Sequence, residues 1–146
     1  LAGLALFFGF VPTAFTYYEL VLANRRSGDV VFQVRIANDD DERRRGLQQI
    51  NYLGEREGMW FVFPDSAPRN FWMKDTLIPL DILFLNATST ITSFHLNVPP
   101  CRQVSPSQED CPSYPSSGPA QFVLELAGGT AHRYGLQAGD VLTLAN

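Results

Sequence analysis

The segment Gly58-Met59-Trp60-Phe61-Val62-Phe63 is a compact apolar run with the length of one strand. A short segment with proline at both ends, residues 64–68, follows it and leads into Phe71-Trp72-Met73-Lys74-Asp75-Thr76. Apolar runs bounded by proline, aspartate and serine are typical of strands joined by a turn. The sequence therefore predicts two strands, residues 59–63 and 70–76, with a turn between them.

Further strands are predicted on both sides of this pair, at residues 30–37, 80–85, 90–98, 121–127 and 141–144. Two short helices are also predicted. Asn38 can cap the first, which ends near Leu47 after Gly46, and Thr130 can cap the second. Many short strands with two brief helices and no βαβ rhythm predict a mainly β fold, a compact β-sandwich or barrel. We expect residues 30–146 to form this single domain.

Length and charge narrow the classes of function. The chain has 146 residues and a formal net charge of −4 at pH 7. Its run of basic residues, Arg43-Arg44-Arg45, follows Asp39-Asp40-Asp41-Glu42, so the two sets of charges largely cancel. Nucleic acid is not an expected partner, because its binding needs a basic surface that displaces counterions from phosphates. The run is interpreted as a solvated helix whose charges match the helix dipole.

The first eighteen residues, Leu1 to Tyr18, carry no charge and are rich in Leu, Ala and Phe. This run is close to the roughly 20 apolar residues that a membrane-spanning helix needs. We therefore expect residues 1–29 to be a signal or membrane-anchor segment followed by a linker, which makes the membrane a possible partner. The alternative is a buried strand or helix of the folded domain, although Gly9 and Pro12 interrupt a simple helix.

Cys101 and Cys111 flank a polar loop in a region rich in proline and serine. A disulfide between them would close a short loop and restrict the unfolded chain. The alternatives are a metal pair or two free thiols, but a zinc site needs more Cys or His ligands than the chain places near them. The predicted disulfide and the apolar N terminus together predict an extracytoplasmic protein. Neither a metal nor a cofactor is expected, because no motif for either is present.

Large aromatic and charged side chains converge on the central strands and form a candidate binding site. Its predicted members are Trp60, Trp72, Lys74, Asp75, Asp81 and Glu125. Adjacent antiparallel strands could bring the two tryptophans together with the only lysine at their edge, a surface suited to sugars, cations or peptide side chains. We expect Lys74 to pair with Asp81, or secondarily with Asp75 or Glu125, because a desolvated charge needs a partner. The alternatives are tryptophans that are ordinary core residues, and Lys74 and Asp81 as acid and base.

The order of these motifs resembles the domain-of-unknown-function family 192. The matching residues, in chain order, are Glu42-Arg43, Gly46-Leu47, Gly58-Met59, Phe61, Phe63, Phe71-Trp72-Met73-Lys74, Thr76, Pro79-Leu80-Asp81, Leu124-Glu125-Leu126, Gly129 and Gly139-Asp140. The resemblance implies a small, mostly β, jelly-roll-like domain, often behind a signal sequence or a single membrane anchor. It implies no activity, because the family is uncharacterised. The chain departs from the family at Gln48, where methionine is common, and at Asp75, where asparagine is common.

These residues support three functions. The first is a non-catalytic extracytoplasmic module that binds a small ligand or a protein through the Trp, Lys and Asp side chains. The second is a small hydrolase or lyase of envelope components, with Lys74 and Asp81 as acid and base. The third is a subunit held in a membrane complex by the N-terminal segment. We prefer the first, because no set of nucleophile, base and orienting group can be assembled from the sequence.

Overall fold

The computed structural model of the protein describes residues 15–23 and 28–145. The strands of this part of the chain are β1 (Tyr18–Leu22), β2 (Val30–Ala37), β3 (Glu57–Phe71), β4 (Leu80–Leu85), β5 (Ile91–Val98), β6 (Tyr114–Ala127) and β7 (Leu142–Leu144), and its α-helices are α1 (Asp40–Arg45), α2 (Cys101–Val104) and α3 (Thr130–Arg133). The strands form one mixed sheet in the order β5-β4-β6-β3-β2-β1-β7. Strands β2 and β3 are parallel, joined by a crossover that contains α1, and the other neighbours are antiparallel.

The sheet curls into a half-barrel, and its two edge strands approach each other at one end. Thr90 and Val141 form a bridge there, and the Leu142 N–H donates to the Ser89 carbonyl oxygen over 3.0 Å. The prediction of a mainly β fold with short helices is confirmed. Helices α1 and α3 are the two that the sequence predicts, whereas α2 lies in the proline-rich loop where no helix is predicted.

Local sequence fixes both ends of helix α1. The Glu42 N–H donates to the Asp39 carboxylate over 2.7 Å, and the Asp39 N–H donates to the Glu42 carboxylate over 3.4 Å. This reciprocal capping box lies one residue beyond Asn38, the predicted cap. Gly46 ends the helix with a φ of 49°, a conformation that glycine adopts without the strain of a Cβ atom. The helix thus ends at Arg45, two residues before the predicted end near Leu47.

Side chains alternate between the two faces of the sheet, and each face has its own core cluster. On one face the Trp60 ring packs beside Leu124 and stacks on Phe122, with 5.0 Å between ring centroids. On the other face Phe61 packs beside Ile82. All six residues of β4 are buried, because both faces of that strand are covered. A polar side chain on a central strand is thus enclosed whichever way it points.

Strand β3 corrects the prediction for the central segment. It is one strand of 15 residues, and residues 64–68 belong to it instead of forming a turn. The strand accommodates Pro64 and Pro68 because its pairing with β6 shifts register near both, and proline is tolerated at such irregularities. It ends at Phe71, so the predicted second strand at residues 70–76 is a turn region for most of its length.

The N-terminal part of the described chain also differs from expectation. Residues 19–29 are predicted as a linker, but Tyr18–Leu22 is strand β1, which pairs with both β2 and β7. Leu20 and Leu22 are buried in the core, and their burial explains why this stretch joins the sheet. The predicted signal or anchor falls largely on residues 1–14, which lie outside the described residues. No helix among the described residues is long and apolar enough to cross a membrane.

Candidate functional site

The structure does not bring together all six residues that the sequence places in one binding site. Trp60 is buried in the core, and its indole N–H has no hydrogen-bond partner among the described residues. Trp72 follows the end of β3 and is 48% exposed. The predicted meeting of the two tryptophans is therefore wrong. It required two strands at residues 59–63 and 70–76, where the protein has one strand and a turn.

Asp81 is fully buried on β4 and is occupied by backbone groups. Its Oδ1 accepts hydrogen bonds from the N–H groups of Asn97, at 2.7 Å, and Gly129, at 3.1 Å. Its Oδ2 accepts from the Ala131 N–H at 2.8 Å. The predicted pair between Asp81 and Lys74 is wrong, because backbone donors already satisfy the carboxylate. Asp81 is a structural joint between β5, the turn after β6 and the start of α3.

Lys74 instead lies at the surface, where solvent can reach it. Its side chain is 28% exposed, its Nζ is 3.8 Å from Glu109 Oε1 and it lies 5.3 Å from the centroid of the Trp72 ring. The Glu109 side chain is 83% exposed, so this ion pair contributes little stability. The sequence analysis missed Glu109 as the partner. The signal that could have pointed to it is the acidic pair in the loop between the two cysteines.

Asp75 shapes the turn that presents Lys74. Its φ is 53°, in the left-handed region that glycine, asparagine and aspartate tolerate best. Its N–H donates to Gln108 Oε1 over 3.1 Å, and its carbonyl oxygen accepts from the Gln49 N–H over 3.0 Å. The same backbone conformation would also accept the asparagine that the family resemblance implies here. Asp75 therefore acts through the backbone and is not the partner of Lys74.

Cys101 and Cys111 form a disulfide, with 5.4 Å between their Cα atoms, which confirms the predicted pairing. The loop between them, the cysteine loop (residues 101–111), packs on the Lys74 turn. The Cys101 N–H donates to the Met73 carbonyl oxygen over 3.3 Å. The same loop carries Gln108 and Glu109, which contact the turn at Asp75 and Lys74. The disulfide thus holds in place the groups that surround the exposed lysine.

Glu125 is the most unusual of the predicted site residues. It lies on β6 between Met59 of β3 and Ile82 of β4, and it is 4% exposed. No described residue donates a hydrogen bond to its carboxyl group. Burial raises the pKa of the Glu125 carboxyl to about 8, so the group keeps its proton at pH 7. Glu125 therefore presents a neutral carboxyl, which can both donate and accept a hydrogen bond.

The Glu125 carboxyl lines a narrow hollow of about 30 Å³, here called the recess. The recess is lined by Arg43, Arg44, Arg45, Gly46, Leu47, Gln48, Phe61, Phe71, Trp72, Lys74, Thr76 and Glu125. A Cβ atom at Gly46 would lie 3.3 Å from the Phe61 ring and 3.9 Å from Glu125 Oε2. The glycine thus leaves this side of the carboxyl open. Trp72, Lys74 and Glu125, three of the predicted residues, do meet here.

A larger hollow of about 540 Å³, here called the cleft, lies on the other side of the segment after α1. The cleft is lined by Phe15, Thr16, Tyr18, Arg35, Ile36, Asn38, Glu42, Arg45, Gly46, Gln48, Ile50 and Met59. Its volume is in the range of small-molecule sites. Arg45, Gly46 and Gln48 line both hollows, so the recess and the cleft share a wall.

Two arginines give the cleft its charge. Arg35 lies across the Phe15 ring, with Cζ 4.3 Å from the ring centroid, and its Nε is buried without a hydrogen-bond partner among the described residues. Neither Arg35 nor Arg45 has a described carboxylate within 4.0 Å. Glu42 also lines the cleft, but its carboxylate already accepts from the N–H groups that begin α1. The cleft therefore holds two guanidinium groups without a described ion-pair partner, together with the negatively charged Glu42 carboxylate.

Neither arginine is among the site residues predicted from the sequence. Residues 43–45 are predicted as one solvated run, but the three arginines differ in the structure. Arg43 donates to the Val62 carbonyl oxygen over 2.7 Å, and Arg44 pairs with Asp41, whereas Arg45 lines the cleft. An arginine in the middle of an apolar strand, such as Arg35 in β2, is the signal that could have been used. Among the described residues, no group of three His, Cys, Asp or Glu side chains could hold a metal ion.

Comparison with known proteins shows what the chain is similar to. The model of the family DUF192, described as Uncharacterized ACR, matches residues 22–144. The chain belongs to this family. A search of curated proteins finds no match. Two solved structures are similar: a candidate transcription regulator from Sinorhizobium meliloti 1021 and a protein of unknown function from Novosphingobium aromaticivorans DSM 12444.

Both structures have a TM-score of 0.78 and 30% sequence identity with this chain. The Sinorhizobium match covers 90% of this chain and 95% of the other, and the Novosphingobium match covers 91% and 89%. On this DUF192 fold, the motif residues divide by role. Asp81 and Gly129 form a structural joint, whereas Trp72, Lys74 and Glu125 line the recess. The family motif is thus not a single site.

Proposed function

We propose that this DUF192 domain is a non-catalytic extracytoplasmic binding module that holds a small anionic ligand with an apolar part. The observation that carries the proposal is the cleft of about 540 Å³, which contains Arg35 and Arg45 without described acidic partners. A guanidinium group binds a carboxylate or a phosphate through two parallel hydrogen bonds. The buried Nε of Arg35 lacks a partner that such a ligand would supply.

The rest of the cleft wall suits a ligand that is only partly polar. Ile36, Ile50 and Met59 supply apolar surface, and the amides of Asn38 and Gln48 supply donors and acceptors. Small-molecule sites usually combine such an apolar surface with a few convergent polar groups that fix the orientation. The ligand class favoured by these groups is a small carboxylic or phosphoric acid with a hydrophobic body.

Binding without turnover is supported by the separation of the candidate acid and base. An enzyme that uses Lys74 and Asp81 needs both groups at one reacting atom. Asp81 is fully buried with three backbone donors, whereas Lys74 is at the surface beside Glu109. Lys74, 28% exposed, and Trp72, 48% exposed, line the recess beside the cleft, where solvent reaches both. The disulfide is the support for an oxidising, extracytoplasmic compartment.

The proposal is tested by a screen of small acids for those that raise the Tm of the protein, because a ligand that binds the folded state stabilises it. Matched esters and alcohols, which lack the negative charge of the acids, are screened as controls. For each acid that raises the Tm, we expect Arg35→Gln and Arg45→Gln to weaken binding by about tenfold or more, as for a lost charged hydrogen bond. The exposed Arg56→Gln is the control and should leave affinity unchanged. If an acid binds Arg35→Gln, Arg45→Gln and Arg56→Gln equally well, its binding site lies outside the cleft.

A further inference from the structure

The recess is lined by the Glu125 carboxyl, which makes no hydrogen bond to any other described residue. Asp81, the other fully enclosed carboxylate of the central strands, is satisfied by three backbone N–H groups. Glu125 accepts no hydrogen bond from the described residues, and its side chain, 4% exposed, faces the recess. Its strand neighbours Met59 and Ile82 are apolar. A carboxyl group in this position points to a ligand group that completes its hydrogen bonds.

We propose that the recess is a carboxylate subsite, in which the neutral Glu125 carboxyl donates its proton in a hydrogen bond to an oxygen of the ligand carboxylate. Arg45 and Lys74 line the same recess and balance the ligand charge. Gly46 keeps the approach to Glu125 open, since a Cβ atom there would stand 3.9 Å from Oε2. The inference rests on the proposed function, because the recess and the cleft share a wall.

The size and charge of the recess favour a carboxylate over other groups. Its volume of about 30 Å³ admits only a group about the size of a water molecule or a single carboxylate. An ionised acid is the natural acceptor for a neutral carboxyl donor, and hydrogen bonds to a charged acceptor are roughly twice as strong as neutral ones. Besides Glu125, the charged residues of the wall are Arg43, Arg44, Arg45 and Lys74. Arg43, Arg44 and Lys74 each pair with a carboxylate, whereas Arg45 has no described carboxylate within 4.0 Å and is the cation most available to a ligand carboxylate.

This arrangement predicts a specific dependence on pH. Burial raises the pKa of Glu125 to about 8. Above that pH the carboxyl loses the proton that it donates and becomes an anion facing the anionic ligand. Below the pKa, Glu125 keeps the proton that it donates. A simple carboxylate ligand remains ionised down to about pH 5. Affinity should be constant between about pH 6 and 7 and fall by about tenfold for each pH unit above the pKa.

Acetate is the probe, titrated into the whole protein while the amide signals of Gly46, Phe61 and Thr76 are followed by NMR. Chloride at equal ionic strength serves as the plain anion. We expect saturable shifts at these amides with acetate alone, and at least a tenfold loss of affinity between pH 7 and 9.5. Glu125→Gln keeps a neutral donor without a titrating proton, so it should bind within about threefold of the wild type at pH 7 and lose no affinity at pH 9.5.

The outcomes separate this inference from the proposed function. Glu125→Met keeps the size of the side chain without a donor and should bind acetate at least tenfold more weakly at pH 7. Equal shifts with chloride, equal binding by the Met variant, or the same pH dependence in the Gln variant would each overturn the subsite. Arg56→Gln, at an exposed residue that lines neither hollow, is the control and should leave acetate binding unchanged. If no acid raises the Tm in the screen, the cleft proposal fails while the acetate result stands.

Discussion

At the residue scale, Glu125 makes the stability of the protein depend on pH. Its carboxyl has a folded pKa of about 8 against an ordinary value of 4.5. Between these values the unfolded chain releases the proton while the folded protein keeps it. The free energy of unfolding therefore falls as the pH rises from about 5 to 8, and this contribution is flat on both sides of that window.

Glu125→Gln should remove this pH-dependent loss. At about 1.4 kcal/mol per pKa unit, we expect the variant to gain roughly 4–5 kcal/mol over the wild type between pH 5 and pH 9. Urea unfolding at several pH values measures the difference, and Glu19→Gln is the control for loss of an exposed carboxylate on a strand. A constant difference between the Gln variant and the wild type across this range would show that Glu125 ionises as in the unfolded chain.

Replacing Asp81 should destabilise the protein, whereas replacing Glu125 should stabilise it at high pH, because the Asp81 carboxylate has a structural role. Asp81→Ala leaves three backbone N–H groups without their acceptor, two of them at distant parts of the chain. We expect a loss of about 3–5 kcal/mol in the free energy of unfolding, and a smaller loss for Asp81→Asn, which keeps one acceptor oxygen.

Lys74→Met is the matched comparison for Asp81→Ala. Its only described ion pair is with the exposed Glu109, so the change in the free energy of unfolding should stay within about 1 kcal/mol. Urea unfolding of all three variants is the measurement. A loss for Lys74→Met as large as that for Asp81→Ala would contradict the division of the motif into a structural joint and an exposed lysine.

The sequence could show which residue types gather in the motif, but not how they pair. The three donors to Asp81 lie 16, 48 and 50 residues away along the chain. They are backbone groups, which carry no signal in the sequence. Lys74 and Asp81 are close in sequence, so their pairing is the simpler hypothesis. The turn at Asp75 and the burial of Asp81 place them in different environments.

At the scale of elements, the cysteine loop is the part most open to a direct test. Cys101→Ser with Cys111→Ser should lower the free energy of unfolding by about 2–3 kcal/mol, as expected for a short closed loop. Because the loop holds the Lys74 turn through Gln108 and Glu109, we also expect faster hydrogen exchange at the Asp75 amide.

Glu109→Gln is the control for that experiment, since it removes the ion pair and leaves the disulfide intact. It should not change exchange at Asp75. If the double serine variant protects the Asp75 amide as well as the wild type does, the loop does not depend on the disulfide for its position. The proposed link between the disulfide and the lysine would then be lost.

The strands show where sequence patterns are reliable. The predicted strands at residues 30–37 and 80–85 have the bounds of β2 and β4, because apolar residues with clear turn signals leave little choice. The pattern failed at Pro64 and Pro68, which mark a turn in most contexts. Here two register shifts against β6 keep them inside one strand, and that long-range pairing is not visible in local sequence.

At the scale of the whole molecule, the fold covers both faces of a curled sheet and leaves the cleft and the recess beside the segment after α1. The sequence predicted the fold class and three of the twelve residues that line the recess. It could not predict the cleft, because Phe15, Arg35 and Arg45 come from three separate segments that meet only in the folded protein. On the proposed function, the protein is a β domain that binds a small acid and releases it unchanged.

The most direct test of that account is recovery of the ligand. The protein is incubated at stoichiometric concentration with an acid that raises its Tm in an Arg45-dependent manner, and the mixture is then analysed by mass spectrometry. The account predicts saturable binding and complete recovery of the unchanged acid. A product that forms with the wild type, and that disappears with a folded Lys74→Ala or Glu125→Gln variant, would contradict it and show that the site is catalytic.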